Sequence, residues 1–236
     1  MIDDVYVFDV DGTLTQSRTR ITDDFKEFFI AFCEKNDVYL VTGSDRVKTF
    51  EQLGPVIFDL VKGIWQCNGN EYWERNRQVS KKDFRMDYEV EHYLINLADK
   101  STYPIKAGDH IERRTGMVNF SVVGRAATID QRKDYYDWDC RTKERADIVE
   151  QINRKYKDLH ASSGGEISID IAPRGNNKSA AGNFLKEKYN NIHFFGDKMD
   201  YGGNDYPLAL MIDLGKLGKT YRVENYNDTF EILKTL

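Results

Sequence analysis

Two aspartates one residue apart, Asp9 and Asp11, close the apolar run Val5-Tyr6-Val7-Phe8 and precede Gly12-Thr13. Side chains at i and i+2 of an extended chain point the same way, so both carboxylates are expected to converge at the carboxyl end of a buried strand. Open α/β sheets place their sites at such ends. Two close carboxylates repel, which calls for a metal, a shared proton or a cation beside them. The pair suits phosphoryl transfer through an aspartyl phosphate, with a carboxylate as nucleophile. A carboxylate approaching an anionic phosphate needs charge compensation, and a divalent cation, Mg2+ with its oxygen ligands, supplies it. Taken alone, Asp-x-Asp equally describes a solvated turn.

Further groups fall at the ends of other strand-like runs. Thr42 and Ser44 offer hydroxyls that can donate to phosphoryl oxygens or cap a helix. Lys178 can balance carboxylates and phosphate, and Gly196-Asp197 provides another carboxylate ahead of the tight loop Gly202-Gly203-Asn204-Asp205. Each is ordinary by itself. Their combination, one acidic pair, one hydroxyl turn, one lysine and one acidic loop, is what points to a phosphoryl-transfer site.

The elements that must carry these groups can be read from periodicity. Short buried strands are predicted at 5–8, 38–41, 64–67 and 192–195, and a helix at 23–35 with Thr22 as N-cap and Phe25, Phe28, Phe29 and Phe32 turned to the core. A second helical stretch runs through residue 51, and Asn68-Gly69 reads as a turn. Alternating strands and helices imply a parallel sheet with helices on its faces. From about residue 81 the texture changes: an amphipathic helix at 89–100, a hairpin of 109–114 and 117–123 about Thr115-Gly116, a charged helical region clearest at 142–156, and an alternating strand at 167–171. The layout is a split core, residues 1–80 and 175–236, carrying an inserted α+β cap at 81–174. Tyr135-Tyr136-Asp137-Trp138-Asp139 reads as cap packing, the segment around Lys216 as a turn, and 228–236 as a closing helix.

Composition narrows the class. Charged residues at 31% speak against a membrane span, and a net charge of −5 speaks against a general nucleic-acid binder. No secretory signal is evident, and Cys33, Cys67 and Cys140 lack metal-like spacing, as expected of free, structurally buried thiols in a cytoplasmic protein. The four histidines show no metal-pair spacing.

The ordered blocks Phe8-Asp9-Val10-Asp11-Gly12-Thr13-Leu14-Thr15, Gly43-Ser44-Asp45, Arg114-Thr115-Gly116-Met117-Val118-Asn119, Gly164-Gly165-Glu166-Ile167-Ser168-Ile169-Asp170 and Phe194-Phe195-Gly196-Asp197-Lys198 resemble the haloacid dehalogenase superfamily, and within it the eukaryotic-type phosphomannomutases. The resemblance implies a Rossmann-like α/β core with a parallel sheet and a cap with an antiparallel sheet. It implies that Asp9 is the nucleophile. Asp11 would be the general acid/base, with its backbone carbonyl at the metal, Asp197 the remaining protein ligand of Mg2+, and Asp205 a supporting charge. Lys178 would be the core lysine. Arg18 and Ser44 would meet substrate in the core; Arg114, Arg125 and Arg132 would bind sugar phosphate in the cap, and Ser168 and Asp170 the sugar. Three arginines also make independent sense, because a mutase must hold a second phosphate and guanidinium forks suit that task. The implied reaction interconverts mannose 6-phosphate and mannose 1-phosphate, primed by a hexose 1,6-bisphosphate, with glucose phosphates also admissible. The implied partners are a hexose phosphate and a second copy of the chain through the cap. A sugar-phosphate phosphatase of the same superfamily is the alternative. The sequence departs from the family at Asn176-Asn177, where Trp-Asp is usual, and beyond Asp205, where the family's second, structural cation loop is replaced.

Overall fold

The computed structural model describes residues 2–236. The chain divides into two compact units, one comprising the residues up to Lys81 together with Asn177–Leu236, the other Lys82–Asn176.

In the first unit β1 (Ile2–Phe8) lies inside a seven-stranded sheet. Its parallel neighbours are β2 (Val38–Val41) and β10 (Tyr189–Gly196), in register Phe8↔Leu40 and Phe8↔Phe195. β3 (Gly63–Gln66) extends the parallel order beyond β2, and β11 (Gly218–Arg222) beyond β10. Alternation along the strands sends Phe8 and Leu40 to one face and Val7, Tyr39 and Val41 to the other. The first face packs on Phe25 and Phe29 of α1 (Asp23–Lys35) and Leu53 and Ile57 of α2 (Arg46–Leu60). The second packs on Ala181 and Leu185 of α6 (Ser179–Leu185) and Leu208 and Ile212 of α7 (Tyr206–Gly215). α8 (Tyr226–Leu233) closes the unit.

The predicted parallel sheet is present, with additions. β4 (Glu71–Glu74) and β5 (Arg77–Lys81) form a hairpin that continues the sheet antiparallel; the sequence pattern had not marked it, because β5 is exposed throughout and lacks apolar alternation. β11 and α7 were also unmarked. α2 continues past residue 51 but is broken at Gly54, whose φ of 78° and ψ of 172° are followed by Pro55. Among the thiols, Cys33 and Cys67 are buried and Cys140 is exposed, which corrects the expectation that all three are buried.

In the second unit, β6 (Ile111–Arg114), β7 (Met117–Phe120), β9 (Ile169–Pro173) and β8 (Leu159–Ser163) form a four-stranded antiparallel sheet in that order. One face buries Val118, Phe120, Ala161, Ile169 and Ile171 against Leu94 of α3 (Tyr88–Lys100), Tyr135 of α4 (Ile129–Thr142) and Ile148 and Ile152 of α5 (Glu144–Lys155). Tyr135 and Trp138 belong to this packing. The other face presents Glu112, Asn119, Asp170 and Ser162 as register partners across all four strands.

Candidate active site

β1 ends at Phe8, so Asp9 and Asp11 sit in the loop beyond it rather than on an extended strand. Residues 10–15 curl into a tight turn in which Leu14 and Thr15 donate to the carbonyl of Val10. The two carboxylates take different cations, Asp9 meeting Lys178 and Asp11 meeting Lys48.

Asp9 is held between strands, its N–H donating to the Phe195 carbonyl (3.0 Å). Its Oδ1 accepts from Lys178 Nζ at 2.7 Å, and the same ammonium donates to Asp205 Oδ1 at 2.7 Å. Lys178 has no solvent exposure, and Asp205 Oδ2 is fixed by the N–H of Lys198 (3.0 Å). Carboxylate oxygens of Asp9, Asp197 and Asp205 lie within 4.8 Å of one another. Lys198 Nζ approaches Asp197 Oδ2 at 3.1 Å, while Asp197 Oδ1 is buried without a hydrogen-bond partner. Burial pushes the Asp197 carboxyl up to about 6 against the pull of Lys198, and Asp205 adds repulsion. Burial likewise lifts Asp9 well above the ordinary carboxylate range, Lys178 opposing and Asp205 and Asp197 reinforcing it. For Lys178 burial works against the charge, but Asp205 and Asp9 overcome it and raise its pKa.

Three clustered carboxylates facing two ammonium groups leave negative charge in excess, and one buried oxygen is unpaired. Hard oxygen donors in that state fit a divalent cation such as Mg2+. Gly12 makes room for this arrangement: at φ +87° a Cβ there would stand 2.5 Å from Asp197 Oδ2.

Asp11 is not one of the three clustered carboxylates. Its Oδ1 accepts from the Arg18 N–H (3.0 Å) and Gln52 Nε2 (2.9 Å), and its Oδ2 from Ser44 Oγ (3.0 Å) and Lys48 Nζ (2.5 Å). Burial would raise this carboxyl, but the charge and hydrogen bond of Lys48, with the Arg18 N–H and Gln52, outweigh it and hold it well below the usual range. Thr42 Oγ1 accepts from the N–H of Ser44, and Asp45 caps α2 by accepting from the N–H of Lys48. Arg18 lines an open pocket of about 450 Å³ with Arg20, Lys48 and Gln52. Lys48 and Gln52 were missed from the sequence. Their signal is the four-residue spacing Ser44, Lys48, Gln52, which stacks three polar groups on one face where a helix begins.

The second unit carries its own polar network. Glu112 accepts from Arg114 Nε (2.7 Å) and forms an ion pair with Arg125, which also donates from Nη1 to Ser168 Oγ (3.3 Å). Burial raises Glu112, but Arg114 and Arg125 hold it down at about 2. Asn119 Nδ2 donates to Asp170 Oδ1 at 2.6 Å. Arg114, Arg125, Ser168 and Asp170 therefore stand on or beside one polar sheet face, and Arg132 is buried on α4. Asp170 is buried as well. Arg145, unmarked in the sequence, pairs with Asp139 (2.7 Å) and donates to the Gly165 carbonyl (2.6 Å), fixing the loop that leads to Ser168.

Comparison with known proteins agrees with this geometry. A haloacid dehalogenase-like hydrolase from Bacteroides thetaiotaomicron superposes with a TM-score of 0.57 at 13% identity, covering 99% of this chain and all of its own. The fold is thus that of the haloacid dehalogenase-like enzymes. The sequence goes further. The model of the eukaryotic phosphomannomutase family matches residues 25–236. A phosphomannomutase of Drosophila melanogaster is 35% identical over 86% of this chain and 84% of its own, and one of Saccharomyces cerevisiae is 31% identical over 98% and 92%. The chain belongs to the eukaryotic phosphomannomutase family. Among the described residues no helix is long and apolar enough to cross a membrane.

Proposed function

We propose that the protein interconverts mannose 6-phosphate and mannose 1-phosphate through phospho-Asp9 and a hexose 1,6-bisphosphate. The observation that carries this reading is the fully buried Lys178 bridging Asp9 and Asp205 beside Asp197, in a chain of this family. Asp9 attacks phosphorus, the bond from phosphorus to the sugar oxygen breaks, and Asp11 gives that oxygen a proton; in the reverse step Asp11 takes a proton from the attacking sugar hydroxyl. Asp11 reaches this role by exchanging its contacts to Lys48 and Ser44 for the substrate. Lys178 keeps Asp9 oriented and offsets charge on the transferring group. Asp9 and Asp197, with the Asp11 backbone carbonyl, would hold Mg2+, which would supply neutralisation of phosphoryl charge.

Arg114, Arg125 and Arg132 hold the phosphate that is not being transferred, and Arg18 and Ser44 contact substrate in the core. Ser168 and Asp170 take sugar hydroxyls. A hexose bisphosphate activator primes Asp9, and glucose phosphates also serve as substrates. The enzyme works in the cytoplasm as a homodimer joined through its second unit. The deciding assay supplies mannose 1-phosphate, Mg2+ and catalytic hexose 1,6-bisphosphate, then separates mannose 6-phosphate from free phosphate. Mannose 6-phosphate as main product is expected. Stoichiometric free phosphate refutes the mutase reading in favour of a phosphatase.

A further inference from the structure

The end of β3 holds an unusual backbone. Cys67, Asn68 and Gly69 adopt φ values of 49°, 56° and 85°, three left-handed residues in succession of which only the last is glycine. Non-glycine residues rarely take this conformation, asparagine being the most tolerant, and such stretches persist where the surroundings over-determine them. All three residues are buried, Asn68 at 5% exposure.

The turn touches three segments that carry site residues in its unit. The N–H of Asn68 donates to the carbonyl of Thr42 and that of Cys67 to the carbonyl of Ser44, both at 2.9 Å, so the hydroxyl turn below α2 hangs on this backbone. The Asn68 side-chain Oδ1 accepts from Asn204 Nδ2 at 3.3 Å, one residue before Asp205. A Cβ on Gly69 would stand 2.7 Å from the carbonyl of Asn177, the residue before Lys178. One short turn therefore meets the hydroxyl turn, the acidic loop and the approach to the buried lysine.

We propose that Asn68 is a positioning residue for phosphoryl transfer, its left-handed backbone and carboxamide tying the Thr42–Ser44 turn to the Asn204-Asp205 loop. The proposal rests on the phosphoryl-transfer reading above and assigns Asn68 no contact with substrate. Asparagine suits the place because it tolerates left-handed φ and also supplies a side-chain acceptor, whereas glycine supplies only the first.

That difference gives the test. In the full chain, Asn68→Gly keeps the left-handed backbone without steric cost and removes the carboxamide. The expected result is an unfolding midpoint equal to or above the wild type's, a kcat about ten- to a hundredfold lower, and a KM within about twofold, as for a site misplaced by a fraction of an ångström. Asn204→Ala, which leaves residue 68 untouched, is expected to lower kcat similarly, and the double variant to be no worse than either single one. Three results overturn the proposal: N68G with kcat within about twofold of wild type, N68G that unfolds or loses activity only in step with stability, or single losses that multiply in the double variant. A wild-type protein without mutase turnover refutes the function reading instead. Phosphate release from the same hexose phosphates is then the rate compared among the variants, with the same outcomes deciding.

Discussion

Replacing Lys178 by methionine preserves most of the side-chain volume and removes the charge from a position with no solvent exposure, where the ammonium bonds Asp9 and Asp205 at 2.7 Å each. Deleting one partner of a buried ion pair leaves an uncompensated buried charge and costs about 3–5 kcal/mol. For a chain of this size each kcal/mol moves the unfolding midpoint by about 2–4 °C, so Lys178→Met should unfold roughly 6–20 °C below wild type. The loss also has a signed pH dependence. Without Lys178, Asp9 retains its proton to still higher pH than in the wild type, where burial already raises its pKa. A carboxyl raised in the folded state favours folding at low pH and loses that contribution as pH rises through its folded pKa. The gap between variant and wild type should therefore widen as pH rises above the ordinary carboxylate range. Thermal unfolding followed by circular dichroism, with chelator present, measures it, and radiolabelled hexose bisphosphate reports phosphoenzyme, which the variant should not form. A gap under about 2 °C that is constant with pH, with normal phosphoenzyme, refutes the reasoning.

Two further outcomes follow from the same cluster. Gly12→Ala places a methyl 2.5 Å from Asp197 Oδ2 on a backbone at φ +87°; it should raise the Mg2+ concentration for half-maximal turnover at least about tenfold, at about 1–2 kcal/mol of backbone strain, and an unchanged Mg2+ titration contradicts it. With Asp197 raised to about 6 in the metal-free protein, proton and cation compete for one carboxylate. Its contribution to folding is present at low pH and fades as pH rises through about 6, so the rise in unfolding midpoint on adding Mg2+ should be larger at about pH 7.5 than at about pH 5. Equal rises at both pH values count against that competition.

What the sequence disclosed follows from how each feature is encoded. Strands buried on both faces, such as Val38–Val41, and helices with aromatic stripes, such as Asp23–Lys35, announce themselves by hydrophobic pattern. The hairpin strand Arg77–Lys81 could not, since all five residues face solvent and its place depends on β4. Asp9 and Asp197 were legible because they follow buried strands directly, and Lys178 because it precedes a helix in the same ordered set of charged groups. Their partners were less so: Lys48 and Gln52 look like an ordinary solvated helix face until Asp11 is seen between them. Glu112 and Asn119 are intelligible only through cross-strand register, which aligns them with Asp170. That Asp9 and Asp11 meet different lysines was equally hidden, because Lys178 and Lys48 come from distant parts of the chain.

The topology of the larger unit also has a kinetic consequence. β1, which delivers Asp9, is followed closely by one neighbour, β2, but its other neighbour, β10, comes only after the whole stretch Lys82–Asn176. Lys82–Asn176, by contrast, is a single uninterrupted stretch. During synthesis that stretch can mature first, while β1 waits with one bare edge until β10 leaves the ribosome. Ribosome-stalled or prematurely terminated chains should thus be the species most prone to clump, and holdase chaperones would find their natural target in that open edge.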